Sequence, residues 1–152
     1  MRKRQTTVIR PFKNCSVVRI VVKGAPEHVL PLCTRMLKID GTEDEITKEQ
    51  NTNILNHEII GNMARTYGYR TFAYAYKDID SETWEDLQGE HDNFVDEAKR
   101  VIVEQDLTFI AAFGIEDKLR ENVAKSVINL RKAKITVRMI SGDNFETAVR
   151  CA

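Results

Sequence analysis

Val17-Val18-Arg19-Ile20-Val21-Val22-Lys23-Gly24-Ala25-Pro26-Glu27 is the stretch whose reading decides the fold. Residues 17–23 predict a strand, because β-branched side chains fit the pleated surface of a sheet. Gly24 breaks it. A helix is expected to start near Ala25, with Pro26 pre-set for its first turn and Glu27 favourable at the positive end of the helix dipole. Upstream, residues 6–10 form a second β-branched run. The two runs, separated by Pro11, Lys13, Asn14 and Ser16, read as a hairpin. Downstream, Pro31 should kink or restart the helix, and Asp40-Gly41-Thr42 reads as a turn.

Further out, Leu55, Ile59, Met63 and Tyr67 recur at four-residue steps, which predicts a helix over residues 47–67 with Gly68 as its terminator. Residues 71–76 alternate strictly, Phe72, Tyr74 and Tyr76 on one face and small residues on the other, which predicts a strand directly after Arg70. The segment 84–103 is expected to be helical and peripheral, and residues 107–115 a buried strand. Leu119, Val123, Val127 and Leu130 then make a helical stripe, and residues 135–140 read as another buried strand. Ser141-Gly142-Asp143-Asn144 turns into a last helix. Strand, helix, strand, turn and helix is the rhythm of a doubly wound parallel sheet, so the expected class is α/β, with this second unit incomplete.

The chain has 152 residues, 42% hydrophobic and 30% charged, with 23 basic and 23 acidic side chains. That composition excludes disordered, collagen-like and disulfide-scaffold classes and suits one domain, or one domain and part of another. No apolar run approaches the ~20 residues that cross a bilayer. The basic start, Met1-Arg2-Lys3-Arg4, lacks the apolar region of a signal peptide, so a soluble chain is expected. Cys15, Cys33 and Cys151 are widely spaced, and His28, His57 and His91 fall in no zinc-ligand pattern, so no metal is expected on them. Charge is balanced only in sum. The first 23 residues hold seven basic residues and no acid, whereas residues 78–106 carry eleven carboxylates against Lys99 and Arg100. The acidic block suits a solvated face or insert; the basic one ends at a glycine-helix junction that could face an anion.

Lys23 and Gly24 place an ammonium at a strand end beside a helix N-terminus. Lysine there can reach a phosphate or lay its stem along a base, and glycine permits close backbone approach; a solvated surface lysine would look the same. Ser141-Gly142-Asp143 falls at the carboxyl end of an expected parallel strand, where open α/β sheets bind ligands. Its hydroxyl and amides could hold phosphate oxygens, and Asp143 also suits a helix N-cap. No GxxxxGK[ST], HExxH or GxSxG string occurs.

Taken in order, these pieces resemble one family. Lys23-Gly24-Ala25-Pro26-Glu27 is similar to the KGAPE motif of P-type ATPases, and Tyr69-Arg70-Thr71 with Tyr74-Ala75-Tyr76 to their LRT…AY segment. Asp117 and Arg120 sit where the family has a DPPR hinge. Residues 135–144, Ile-Thr-Val-Arg-Met-Ile-Ser-Gly-Asp-Asn, resemble the ITVRMVTGDN of plasma-membrane-type calcium pumps.

The resemblance implies that residues 1–116 are a nucleotide-binding domain, N-terminally incomplete, with an antiparallel sheet and flanking helices. Residues 117–152 would begin the second segment of the phosphorylation domain, a Rossmann-like unit of the haloacid dehalogenase type. By motif position, Lys23, Gly24 and Arg70 would line the adenosine and phosphate pocket, with Arg4 near the phosphates. Ser141, Gly142 and Asp143 would meet the γ-phosphate end, and Asp117 and Arg120 would form the hinge, Arg120 also near ribose or phosphate. The implied activity is that of a cation pump, a calcium pump by its motifs, in which an aspartate attacks the γ-phosphate of ATP with Mg2+ neutralising charge. The sequence contains neither DKTGT nor GDGxNDxP, so no catalytic residue is assigned and turnover by this chain alone is not expected. Implied partners are ATP and the rest of a pump polypeptide with its membrane helices, at the cytoplasmic face of a plasma or calcium-store membrane; Mg2+ would bind mainly elsewhere, and no nucleic-acid partner is expected.

Three departures keep other readings open. Asp117-Lys118-Leu119-Arg120 lacks both hinge prolines, and Ser141 stands for threonine. Residues 115–119, Glu146-Thr147-Ala148 and the acidic insert with Trp84 look more like phospholipid-translocating members of the superfamily. A flippase, or a free-standing nucleotide-binding module that never hydrolyses, is therefore the alternative.

Overall fold

The computed structural model describes residues 2–10, 16–116, 118–143 and 145–152. The first hairpin forms: β1 (Arg4–Ile9) pairs antiparallel with β2 (Val17–Gly24), Arg4 opposite Gly24 and Gln5 opposite Lys23. Pro26 opens the short helix α1 (Pro26–Val29), and a 3-10 turn over Leu30–Leu32 follows, with Pro31 inside it. A second hairpin joins β3 (Cys33–Leu37) to β4 (Glu43–Glu45). Its turn is built as the sequence predicts: Asp40 Oδ1 accepts from the Thr42 amide at 2.9 Å, and Gly41 takes a φ of 86°.

The long helix is present as α2 (Lys48–Asn53), fixed at its start by a reciprocal capping box between Thr47 and Gln50. It continues as a π-helix over Ile54–Thr66, where the Thr66 hydroxyl donates to the Gly61 carbonyl at 3.0 Å. β5 (Arg70–Asp80) runs into α3 (Ser81–Glu90), which Asp80 caps by accepting from the Thr83 amide at 2.8 Å. Two 3-10 turns, Asp92–Phe94 and Glu97–Ile102, lead to β6 (Leu107–Ile115). The chain then forms α4 (Val123–Lys132) and α5 (Phe145–Cys151).

The six strands make one sheet in the order β1-β2-β5-β6-β3-β4. β2 is antiparallel to β5 and β5 to β6, but β3 runs parallel to β6, so the sheet is mixed rather than purely antiparallel. The departure arises because α1 and the 3-10 turn carry the chain away from β2 and deliver β3 beyond β6. One face is the core. Val18, Ile20 and Val22 of β2, Ala73 and Ala75 of β5 and Leu107 of β6 are fully buried there, with Val29, Ile59 and Trp84 from the helices packed against them.

Two expectations are corrected. The acidic segment is not merely peripheral: Trp84 and Phe94 stack at 5.4 Å and, with Val103, are buried in the core, while its carboxylates, Glu104 apart, face outward. Residues 135–140 form no strand, and residues 131–142 are exposed throughout, so no Rossmann-like unit is present among the described residues. A strand of a parallel sheet needs a neighbour to ladder with and helices to cover its faces. β3 and β6 already pair with each other, and α4 has no buried residue to offer as cover.

Candidate functional site

Strands facing water on one side usually hold their large apolar residues inward. β5 inverts that pattern. Its alanines, Ala73 and Ala75, lie under the helices, while Phe72 and Tyr74 stand on the open face. Phe113 of β6, opposite Phe72 in the register, completes the cluster. Its ring stacks on Phe72 at 5.7 Å and meets Tyr74 edge-on at 5.7 Å, yet it is 49% exposed. An exposed apolar cluster of this kind on a sheet face marks a surface that something else covers.

Lys23 stands in the same row, flanked by Gln5 of β1 and Tyr74 of β5. A cleft of about 470 Å³ opens between them, lined by Lys3, Gln5, Lys23, Phe72, Tyr74 and Ile115, with Arg4 and Gly24 in its wall. This is a size that suits a small-molecule site. Gly24 is required by proximity: a Cβ there would lie 2.5 Å from the Lys3 carbonyl oxygen and 2.7 Å from the Arg4 Cα. The close approach lets the Ala25 amide donate to the Lys3 carbonyl at 3.0 Å, which ties the start of β1 to the start of α1.

A smaller cleft of about 120 Å³ adjoins, lined by Lys3, Glu27, Arg70, Thr71, Gly142 and Asp143 among others. Lys3 lines both. Arg70 Nε donates to Asp143 Oδ2 at 3.0 Å, and the Asp143 amide donates to the Ser141 hydroxyl at 3.1 Å. The loop is seated by α5, where the buried Thr147 hydroxyl donates to the Tyr69 carbonyl at 3.0 Å. Arg65 and Glu146 pair at 2.7 Å, which holds the Glu146 carboxyl below its usual range.

Lys23 and Gly24 thus fall in the larger cleft, and Arg70, Gly142 and Asp143 in the smaller. Ser141 sits behind Asp143 and fixes its loop. Arg4 is in the wall, but its Nε is committed to Glu104 at 2.8 Å on the core side of β1. Arg120 is exposed and lines neither cleft. Asp117 and Asn144 lie outside the described residues. Sequence reasoning passed over Lys3 and Phe113. Lys3 was hidden in a run of three basic residues, and only the register of β1 against Gly24 separates it from its neighbours. At the far end of the open face, Arg19 lies 4.4 Å above the Tyr76 ring, whose hydroxyl donates to Glu43 at 2.5 Å; burial, then that contact, push the phenol up to about 12.

An aromatic sheet face edged by three cations, Lys3, Lys23 and Arg70, can stack a planar group and hold an anionic tail. The fold is thus an α/β domain with one open, aromatic sheet face. The family model described as P-type ATPase, cytoplasmic domain N, matches residues 1–122, and the chain belongs to that family. It is similar to plasma membrane calcium-transporting ATPase mca-1 of Caenorhabditis elegans, 34% identical over 97% of this chain and 12% of that protein. It is also similar to plasma membrane calcium-transporting ATPases 3 and 4 of Homo sapiens, 35% and 36% identical over 97% of this chain and 11% of each. The chain therefore spans only 11% to 12% of the length of these curated relatives. Among the described residues, no helix is long and apolar enough to cross a membrane.

Proposed function

We propose that the chain binds ATP as the cytoplasmic nucleotide-binding part of a P-type cation-transporting ATPase, and that the transported ion is calcium. The observation that carries the reading is the inverted alternation of β5, which puts Phe72 and Tyr74 on the open face beside Lys23. The adenine ring stacks on the aromatic cluster with the Lys23 stem along it. The phosphates run toward Lys3 and Arg70, where the smaller cleft begins. The family and the names of the relatives support calcium over a lipid substrate.

In that reading this chain binds and orients the nucleotide, and the phosphoryl-accepting aspartate lies in other sequence of the pump. A carboxylate oxygen there attacks the γ-phosphorus, the bond to the β-phosphate oxygen breaks, and ADP leaves. The described residues do not fit a magnesium site: no three His, Cys, Asp or Glu side chains converge, and Asp143 is paired with Arg70. No step is assigned to the metal here.

Titration of the labelled 152-residue chain with ATP tests this. Shifts are expected at Lys23, Arg70, Phe72 and Tyr74, and Lys23→Ala and Arg70→Ala should each weaken binding about tenfold, as loss of a charged hydrogen bond does. His91→Ala should not, since His91 packs on Phe94 on the helical side. Unchanged spectra around Lys23 and Arg70 at millimolar ATP would overturn the assignment.

A further inference from the structure

Glu104 is a carboxylate with no exposed surface in a segment whose other carboxylates are exposed. Its Oε2 accepts from Arg4 Nε at 2.8 Å, and its Oε1 accepts from the Thr6 hydroxyl and the Arg2 guanidinium. All three partners belong to β1 or its approach. Arg4 and Thr6 are successive core-side positions of the strand, and Arg2 and Arg4 flank Lys3. β1 is an edge strand, laddered only to β2. Among the described residues no strand ladders to its outer edge, and Glu104 supplements the β2 ladder by holding side chains on its core-side face.

We propose that Glu104 is a positioning residue that holds Lys3 at the junction of the two clefts; this rests on the nucleotide reading above. Alternation along β1 turns Arg4 and Thr6 toward Glu104, leaving Lys3 and Gln5 to line the open cleft. Lys3 is then fixed from both directions. Its carbonyl is bonded to the Ala25 amide across Gly24, and its two neighbours are bonded to one buried anion. Glu104 also supplies the charge that offsets the two largely buried guanidiniums of Arg2 and Arg4, since burying them uncompensated is costly. The carboxylate lies three residues before Leu107, so the anchor ties β1 to the root of β6, whose Ile115 lines the larger cleft.

The test is a double-mutant cycle on the full 152-residue chain, read by ATP affinity and by amide hydrogen exchange. Glu104→Gln should weaken ATP binding about tenfold, and in a Lys3→Ala background it should cost almost nothing more, because positioned groups and their positioners are non-additive. Thr6→Val removes one donor to the same carboxylate and is the milder variant should Glu104→Gln fail to fold. It should lose about threefold, again only when Lys3 is present. Glu58→Gln, at an exposed carboxylate of the π-helix outside this cluster, should leave affinity unchanged. Exchange at the Ala25 amide should accelerate in Glu104→Gln or Thr6→Val while that of the β5 ladder stays constant, whether or not ATP binds. Equal losses with and without Lys3, or unaltered Ala25 exchange in a folded variant, would overturn the proposal. Absence of ATP binding by the unmodified chain with accelerated Ala25 exchange in the variants would overturn the nucleotide reading and leave the anchor standing.

Discussion

Arg70, the first residue of β5, donates from Nε to Oδ2 of Asp143 at 3.0 Å across 73 residues of sequence. A guanidinium expected to meet phosphate oxygens is thus already held by a carboxylate. The same contact sets the Ser141-Gly142-Asp143 loop against the small cleft instead of at the end of a parallel strand. Asp143 is a substitute anion in this arrangement, and ligand phosphate would compete with it.

That competition gives the first prediction. Asp143→Asn should change stability by less than about 1 kcal/mol, because partly exposed ion pairs contribute little. ATP affinity should rise about threefold at low salt, with the gain shrinking as added salt screens the pair. Calorimetric titration at two salt concentrations checks this. Weaker binding by Asp143→Asn would mean that the carboxylate assists the ligand rather than opposing it.

Gly24→Ala probes the close approach of β1 to the β2-α1 junction. The added methyl would fall 2.5 Å from the Lys3 carbonyl and 2.7 Å from the Arg4 Cα, both backbone atoms with no free rotation to escape by. The strand start must shift, at a cost of about 1–3 kcal/mol typical of overpacking. Denaturant unfolding should show that loss, and ATP titration a larger relative loss than for Lys23→Ala, since Lys3 and Lys23 are displaced together.

How much of this was legible beforehand follows from the range of each signal. The first hairpin, the turn at Asp40-Gly41-Thr42 and the strand after Arg70 depend on residues close in sequence, and the structure contains all three. β3 and β4 were not foreseen. Glu43 to Glu45 form a polar edge strand against Arg35 of β3, and the strand character of both comes from pairing alone. Lys23, Gly24 and Arg70 were found from motif spacing, whereas Lys3 gains its place only through the register of β1. The strand expected at residues 135–140 had the right local pattern but lacks neighbours among the described residues, and Ile140 is left 96% exposed. Tertiary support, not propensity, decided that segment.

Asn51 supports the core on the side away from the clefts. Its Nδ2 donates to the Leu30 carbonyl at 3.1 Å and to the Cys33 carbonyl at 2.8 Å, clamping the 3-10 turn and β3 against α2. Asn51→Leu keeps the volume but leaves both carbonyls without that partner, which should cost about 2–4 kcal/mol. ATP affinity of the folded variant should be unchanged. A parallel loss of affinity would show that β3 and α2 communicate with the open face.

Cys33 should make stability fall in alkali. Burial raises its thiol from an ordinary value of 9.0 to about 12, so the folded chain keeps it neutral while the unfolded chain ionises it first. The contribution is fully present below about pH 9 and is lost as pH rises toward about 12. Tyr76, raised from 10.0 to about 12, acts in the same direction but begins one unit later. Urea midpoints should therefore be level from about pH 7 to pH 8.5 and decline by about pH 10.5. In Cys33→Ala the onset of that decline should move to higher pH, where Tyr76 alone remains. The same thiol, donating to the Val29 carbonyl at 3.4 Å and nearly inaccessible, should resist aromatic disulfide reagents at about pH 8 until the chain unfolds. Rapid labelling of Cys33 in the native state would place it outside the core and remove the basis for the alkaline decline.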